Sequence, residues 1–155
     1  MLSKLSRFIE RHLQPSGVSS GPSLSAHQKQ LAVAALLVEV AMADHQFSDE
    51  EIDSLSEALK RKYSLDTEEI SELISLAKSE SNHATSLHQF TQIINQYCDP
   101  KEKSNLVTAM WEMAFADGNL DKYEDYLIRK VADLIYLPHS EFTRTKSLVK
   151  AARAN

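Results

Sequence analysis

Glycine is scarce: the three in 155 residues are Gly17, Gly21 and Gly118. A loop that cradles phosphate needs several glycines close together, so neither a P-loop nor a dinucleotide-binding fingerprint is present. Cysteine is limited to Cys98, which excludes an internal disulfide framework and favours a reducing compartment. Long apolar runs are missing too. The longest, Leu31 to Ala43, is interrupted by Glu39 and falls short of the ~20 residues that span a bilayer. The opening stretch MLSKLSRFIERHL is basic but reaches no uninterrupted apolar core and no small-residue cleavage site. It does not read as a signal peptide, and a cytoplasmic home is expected. Nor is there an excess of positive charge. A net charge of −5 argues against nucleic acid as a partner, because binding it leaves a basic footprint. It favours cations or basic partners instead.

What remains is helical. No run of alternating β-branched residues competes. Leu2, Leu5, Phe8, Ile9 and Leu13 share one side of a helix over 1–13, with Lys4, Arg7 and Arg11 opposite. The following stretch, 14–24, is rich in Ser, Gly and Pro and reads as a flexible linker. A helical domain is then expected over 25–155. Ser25 caps a helix through Ala43 that is apolar on nearly every face and therefore central. A second helix follows Ser48 to about Lys62. A third follows Asp66, with Glu69 completing a capping box, and ends near Ser79. A fourth spans roughly 85–97. Asp99-Pro100 breaks the chain, and Pro100 suits a first helical position. The fifth helix, again apolar almost all round, runs to Ala116 with Gly118 as its stop. The sixth runs from Asp121 to about Ile135, and the seventh from about Ser140 to Ala152 after a turn at Pro138.

Two segments match each other. VEVAMADHQFSDEE ends at Glu51 and WEMAFADGNLDKYE ends at Glu124. Glu39 and Glu112, Asp44 and Asp117, and Glu51 and Glu124 are each separated by 73 residues. Ala41 with Ala114, Phe47 with Leu120, Leu55 with Ile128 and Tyr63 with Tyr136 keep the same offset. The expected architecture is all-α: a bundle of about seven helices built from a helix-loop-helix repeat, with the two apolar helices packed near a pseudo-twofold axis.

The second copy places Ala116, Asp117 and Gly118 at the end of an apolar helix, then Leu120, then Glu124 in the next helix, with Glu112 upstream. This pattern resembles the tellurite-resistance TerB family over about residues 28–152. The resemblance implies an all-helical fold, an acidic metal-associated site, and a role in stress responses near the bacterial membrane. Related domains occur fused to other modules, including a DnaJ-like co-chaperone. In the first copy His45 stands where glycine is usual, and Ser48 where Asp121 stands in the second.

The acids allow two readings. Asp121 with Glu124, and Ser48 with Glu51, can be capping boxes. Capping leaves Asp44 and Asp117 unexplained, because each sits at a helix C-terminus where the backbone dipole disfavours negative charge. A cationic neighbour is expected there: a lysine, an arginine or a metal ion. Asp117, Asn119, Asp121 and Glu124 offer only oxygen, which suits Ca²⁺ or Mg²⁺. The loop is not an EF-hand, since Lys122 takes the glycine position and Ile128 the position of the bidentate glutamate. Asp44 and Glu51 are the matching candidates in the first copy. Glu39 and Glu112 lie within apolar helices and are expected to be partly buried, either paired in the core or contributing to a further acidic site.

Catalysis is not expected, and no small-molecule substrate is implied. His83 and His88 sit about 140° apart round a helix, Cys98 has no activating neighbour in sequence, and no nucleophile-elbow or zinc-protease motif occurs. Trp111, Met42, Met110 and Met113 read as core. For the first helix two uses stay open. Leu5, Phe8 and Ile9 can dock on the domain, or they can meet a membrane or partner together with Lys4, Arg7 and Arg11 in a weak peripheral contact. The functional expectation is a non-enzymatic, stress-associated module that binds a divalent cation and presents a surface to a protein partner. The alternative is a metal-free interaction or scaffold domain.

Overall fold

The computed structural model describes residues 4–14, 24–43, 49–79, 83–115 and 122–154, with side chains omitted at 4–6, 41–43, 51, 83–86, 122–124 and 154. Among the described residues there are eight helices and no strand. They are α1 (Lys4–His12), α2 (Ala26–Ala43), α3 (Asp49–Tyr63), α4 (Thr67–Ser79), α5 (His83–Tyr97), α6 (Pro100–Phe115), α7 (Lys122–Leu134) and α8 (His139–Ala154). The all-α expectation holds, and α2 to α8 are the seven helices read from the sequence after the first. The chain forms two compact units, Met1–Phe90 and Thr91–Asn155, divided within α5.

Helix starts follow side-chain chemistry. Asp66 and Glu69 form the expected capping box: the Glu69 N–H donates to Asp66 Oδ1 at 2.8 Å, and the Asp66 N–H donates to Glu69 Oε1 at 3.1 Å. The same reciprocal pair recurs at Asp99 and Glu102, at 2.9 and 2.8 Å, with Pro100 as the first helical residue. Ser25 and Gln28 make a third box, at 2.9 and 3.1 Å. Each box satisfies two backbone donors that the first turn leaves without helical acceptors.

In the first unit α2 packs against α3 and α4, and α3 packs against α4. From Leu31 to Glu39 every residue of α2 except Val33 is buried, as its lack of a polar stripe requires. In the second unit α6 packs against α8 and α7. Trp111 is fully buried there, with the Phe142 ring 5.4 Å and the Phe115 ring 6.0 Å away. Met110 is buried as expected, and Met113 is half-buried; Met42 lies outside the described side chains.

Helices α3 and α7 open at Asp49 and Lys122, 73 residues apart, the offset of the sequence repeat. The connection after α7 is a Schellman turn. The Leu137 N–H donates to the Ala132 carbonyl at 2.9 Å and the Tyr136 N–H to the Asp133 carbonyl at 3.1 Å. This geometry needs a left-handed residue, and Tyr136 supplies it at φ 59° in place of the usual glycine. The turn after α3 has Ser64 at φ 50°.

Candidate functional site

The sequence directs attention to the two places where an apolar helix passes the chain to its successor. Helix α2 ends at Ala43 and α3 begins at Asp49; α6 ends at Phe115 and α7 begins at Lys122. Asp44, Asp117, Asn119 and Asp121 fall within 44–48 and 116–121, outside the described residues. Glu51 and Glu124 each occupy the third position of the helix that follows, where a carboxylate complements the N-terminal backbone dipole; their side chains are not described. Among the described residues no group of three or more His, Cys, Asp or Glu side chains is gathered closely enough to hold a metal ion.

The described flanks differ between the two halves. Glu39 is 3% exposed and engages a partner within the protein, as a buried carboxylate must. Glu112, expected to be partly buried as well, is instead exposed. The reason is helical register. Lys101, Asn105 and Glu112 are exposed and Thr108 is half-buried, a stripe at helical spacing that α6 turns outward while Leu106, Val107, Met110 and Trp111 turn in. Helix α2 has no such stripe alongside Glu39. Glu39 and Glu112 thus stand in unlike surroundings.

Next to the second connection, Asp125 already has cationic partners. Lys146 Nζ on α8 donates to Asp125 Oδ2 at 2.8 Å, and Arg129 lies 3.8 Å from Oδ1. Lys146 also sits over the Trp111 ring at 5.1 Å, so one ammonium ties α8 to both α7 and α6. On the same unit Glu141 receives Arg144 on both carboxylate oxygens and the Ser104 hydroxyl at 3.0 Å. The Arg144 hydrogen bond, then that of Ser104, holds the Glu141 carboxyl below its ordinary value of 4.5.

A third set of polar contacts involves α1. Phe8 is 2% exposed and Leu13 is 3% exposed. The Phe8 ring meets Phe90 edge-on at 6.4 Å and His12 at 4.9 Å. Arg11 reaches one Glu72 oxygen at 2.7 Å and His12 Nε2 the other at 3.1 Å. Gln28 Nε2 donates to the carbonyls of His12 and Gln14 at 3.1 and 2.9 Å, closing the end of α1. One turn away on α4, Glu69 takes His27 Nε2 at 2.7 Å. Of the two uses the sequence left open for this helix, the structure displays docking: Phe8 is buried, Ile9 is half-buried, and Arg7 and Arg11 face solvent. Leu5 and Lys4 lie outside the described side chains. The linker expected at 14–24 falls mostly outside the described residues.

The sequence matches the family described as "Tellurite resistance protein TerB" over residues 30–147. The chain belongs to this family. The match runs from α2 into α8 and leaves α1 outside, so the docked helix is an addition to the part of the chain that defines the TerB domain. No curated protein and no solved structure matches the chain. In this TerB-family chain no described helix is long and apolar enough to cross a membrane. Long-range ion pairs such as Glu72 with Arg11 and Asp125 with Lys146 carry no local sequence signal. The Ser25–Gln28 box could have been read from its spacing.

Proposed function

We propose that this TerB-family domain is a non-catalytic module whose second hand-over connection binds a divalent cation and thereby adjusts a surface for a protein partner. What supports the reading is the spacing of the acids between the described parts of α6 and α7: Asp117, Asn119, Asp121 and Glu124 fall within eight residues. The donor set is all oxygen, which fits a hard ion such as Ca²⁺ or Mg²⁺ and not zinc. In the first half Asp44 and Glu51 keep their places, and the neutral Ser48 stands where the second half has the carboxylate of Asp121. The stress-associated role that the family resemblance implies belongs to this reading.

A second reading has its own support. Among the described residues, three helix starts are closed by reciprocal boxes in which a carboxylate or amide bonds the cap residue's backbone. Asp121 and Glu124 stand at the same spacing and can do the same without metal, leaving an acidic surface for a basic partner. Titration with Ca²⁺ and with Mg²⁺, followed by calorimetry and backbone NMR, separates the two. The cation reading expects saturable heat, shifts confined to residues 116–125, and loss of both in Asp117→Asn with the metal-free fold intact. Absence of heat and shifts at millimolar ion leaves the metal-free module.

A further inference from the structure

We propose that α1 is a releasable strap whose alternative resting place is an anionic lipid surface, and that Glu72 sets the balance between the two. The inference is independent of the cation reading. Three bases, Lys4, Arg7 and Arg11, and one acid, Glu10, lie on α1, whereas residues 14–90 carry twelve acids against five bases. The helix therefore rests on a unit of opposite charge, and its specific anchor is a carboxylate: Glu72 offers one oxygen to Arg11 at 2.7 Å and the other to His12 at 3.1 Å. A lipid phosphate presents the same chemistry to the same groups, two acceptor oxygens for a guanidinium fork.

The apolar half of the contact is interchangeable in the same way. Phe8 and Leu13 are buried against the unit, and the acyl–headgroup boundary of a bilayer takes the apolar face of a basic amphipathic helix in an equivalent manner. The Arg11 side chain stays 62% exposed while paired, so a surface carrying phosphate can reach it before the helix leaves. Covalent geometry permits the exchange. The eleven residues from Gln14 to Leu24 span up to about 35 Å when extended, enough to carry α1 clear of the unit. That stretch is rich in Ser, Gly and Pro, a composition suited to a flexible tether, and Leu24 at its end is buried in the unit that α1 would leave. The family match begins at residue 30, so departure of α1 leaves the matched region whole.

The experiment is co-sedimentation of the full chain with phosphatidylcholine vesicles, with and without phosphatidylglycerol, for wild type, Glu72→Gln and Glu69→Gln. Amide exchange of residues 4–12 is followed in the same mixtures. Wild type is expected to partition onto phosphatidylglycerol-containing vesicles only. Glu72→Gln should partition roughly three- to tenfold more strongly, the scale of one partly exposed ion-pair cluster. Glu69→Gln, which loosens His27 and leaves α1 untouched, should match wild type. In the wild type, amides of 4–12 should change their exchange when phosphatidylglycerol is present and keep it with phosphatidylcholine alone. That readout stands even if Glu72→Gln folds poorly. Equal or weaker partitioning of a folded Glu72→Gln, equal gain in Glu69→Gln, indifference to phosphatidylglycerol, or vesicle binding with unchanged exchange over 4–12 would each overturn the proposal.

Discussion

Gln28 gives the most direct test of how α1 is held. Its side chain makes three hydrogen bonds. Oε1 accepts from the Ser25 backbone at 2.9 Å, and Nε2 donates to the carbonyls of His12 at 3.1 Å and Gln14 at 2.9 Å. A net intramolecular hydrogen bond contributes about 0.5–1.5 kcal/mol. The contacts to Ser25 and Gln14 are exposed, so water substitutes for them readily and they take the lower figure. The contact to His12 is partly buried and takes the middle of the range. Alanine returns a few tenths of a kcal/mol through helix propensity. Gln28→Ala should therefore lower the unfolding free energy by roughly 1.5–2 kcal/mol. The Gln28 N–H keeps its bond to Ser25 Oγ, so α2 keeps half of its cap. Urea unfolding gives the total and amide exchange gives its location: residues 4–12 should lose protection well before α2. Ser25→Ala is the control, since it costs about 1 kcal/mol of cap without touching α1. A loss below about 0.5 kcal/mol, or unchanged exchange over 4–12, would refute the claim that Gln28 fastens α1.

Three further outcomes are expected. Tyr136→Gly should raise stability by up to about 1 kcal/mol in urea unfolding, because relief of a left-handed backbone at a residue 78% exposed exceeds the added entropy of the unfolded chain; Tyr136→Ala retains a Cβ and should not. Lys146→Met removes the bond to Asp125 and the ammonium over the Trp111 ring, and should cost about 1 kcal/mol; Trp111 is the single tryptophan, so its emission shift tracks the change directly. Glu141 has a depressed folded-state value, so its contribution is present above its ordinary 4.5 and is lost as pH falls through the lower folded value. Glu141→Gln should thus be less stable than wild type at neutral pH, with the gap closing in acid, as thermal melts across pH would show.

Local signals carried most of the fold. The Asp66–Glu69 box, Pro100 as a first helical residue and the uninterrupted apolar face of α2 are all decided within a few residues, so periodicity and capping chemistry place them. The end of α7 was legible as well, yet its Schellman geometry was not, since tyrosine is a poor sign of a left-handed position. Docking of α1 stayed open because an amphipathic face states only that something apolar covers it. The cover includes Phe90, far along the chain, and the ionic lock is Glu72, sixty residues from His12. The exposure of Glu112 is hidden in the sequence for a related reason. An acid in an apolar helix reads as buried until the rest of its stripe is recognised, and Lys101, Asn105 and Thr108 complete one.

The contrast between Glu39 and Glu112 bears on where chemistry can reside. The two acids occupy matching places in the two segments, so the difference lies in their surroundings. The first half keeps its acid buried and partnered, as a carboxylate withdrawn from water requires. In the second half the matching acid, Glu112, is exposed, and Asp125 is tied to Lys146 and Arg129. In sequence, Asp117, Asp121 and Glu124 lie within eight residues of the second half, with Asn119 adding a neutral oxygen. The first segment has His45 and Ser48 where the second has Gly118 and Asp121, and Asp44 and Glu51 are the acids it keeps at the same offset. Any cation response should accordingly be carried by the second half, with Asp44→Asn leaving it largely intact where Asp117→Asn abolishes it. A response lost equally in both variants would mean that the halves act as one site.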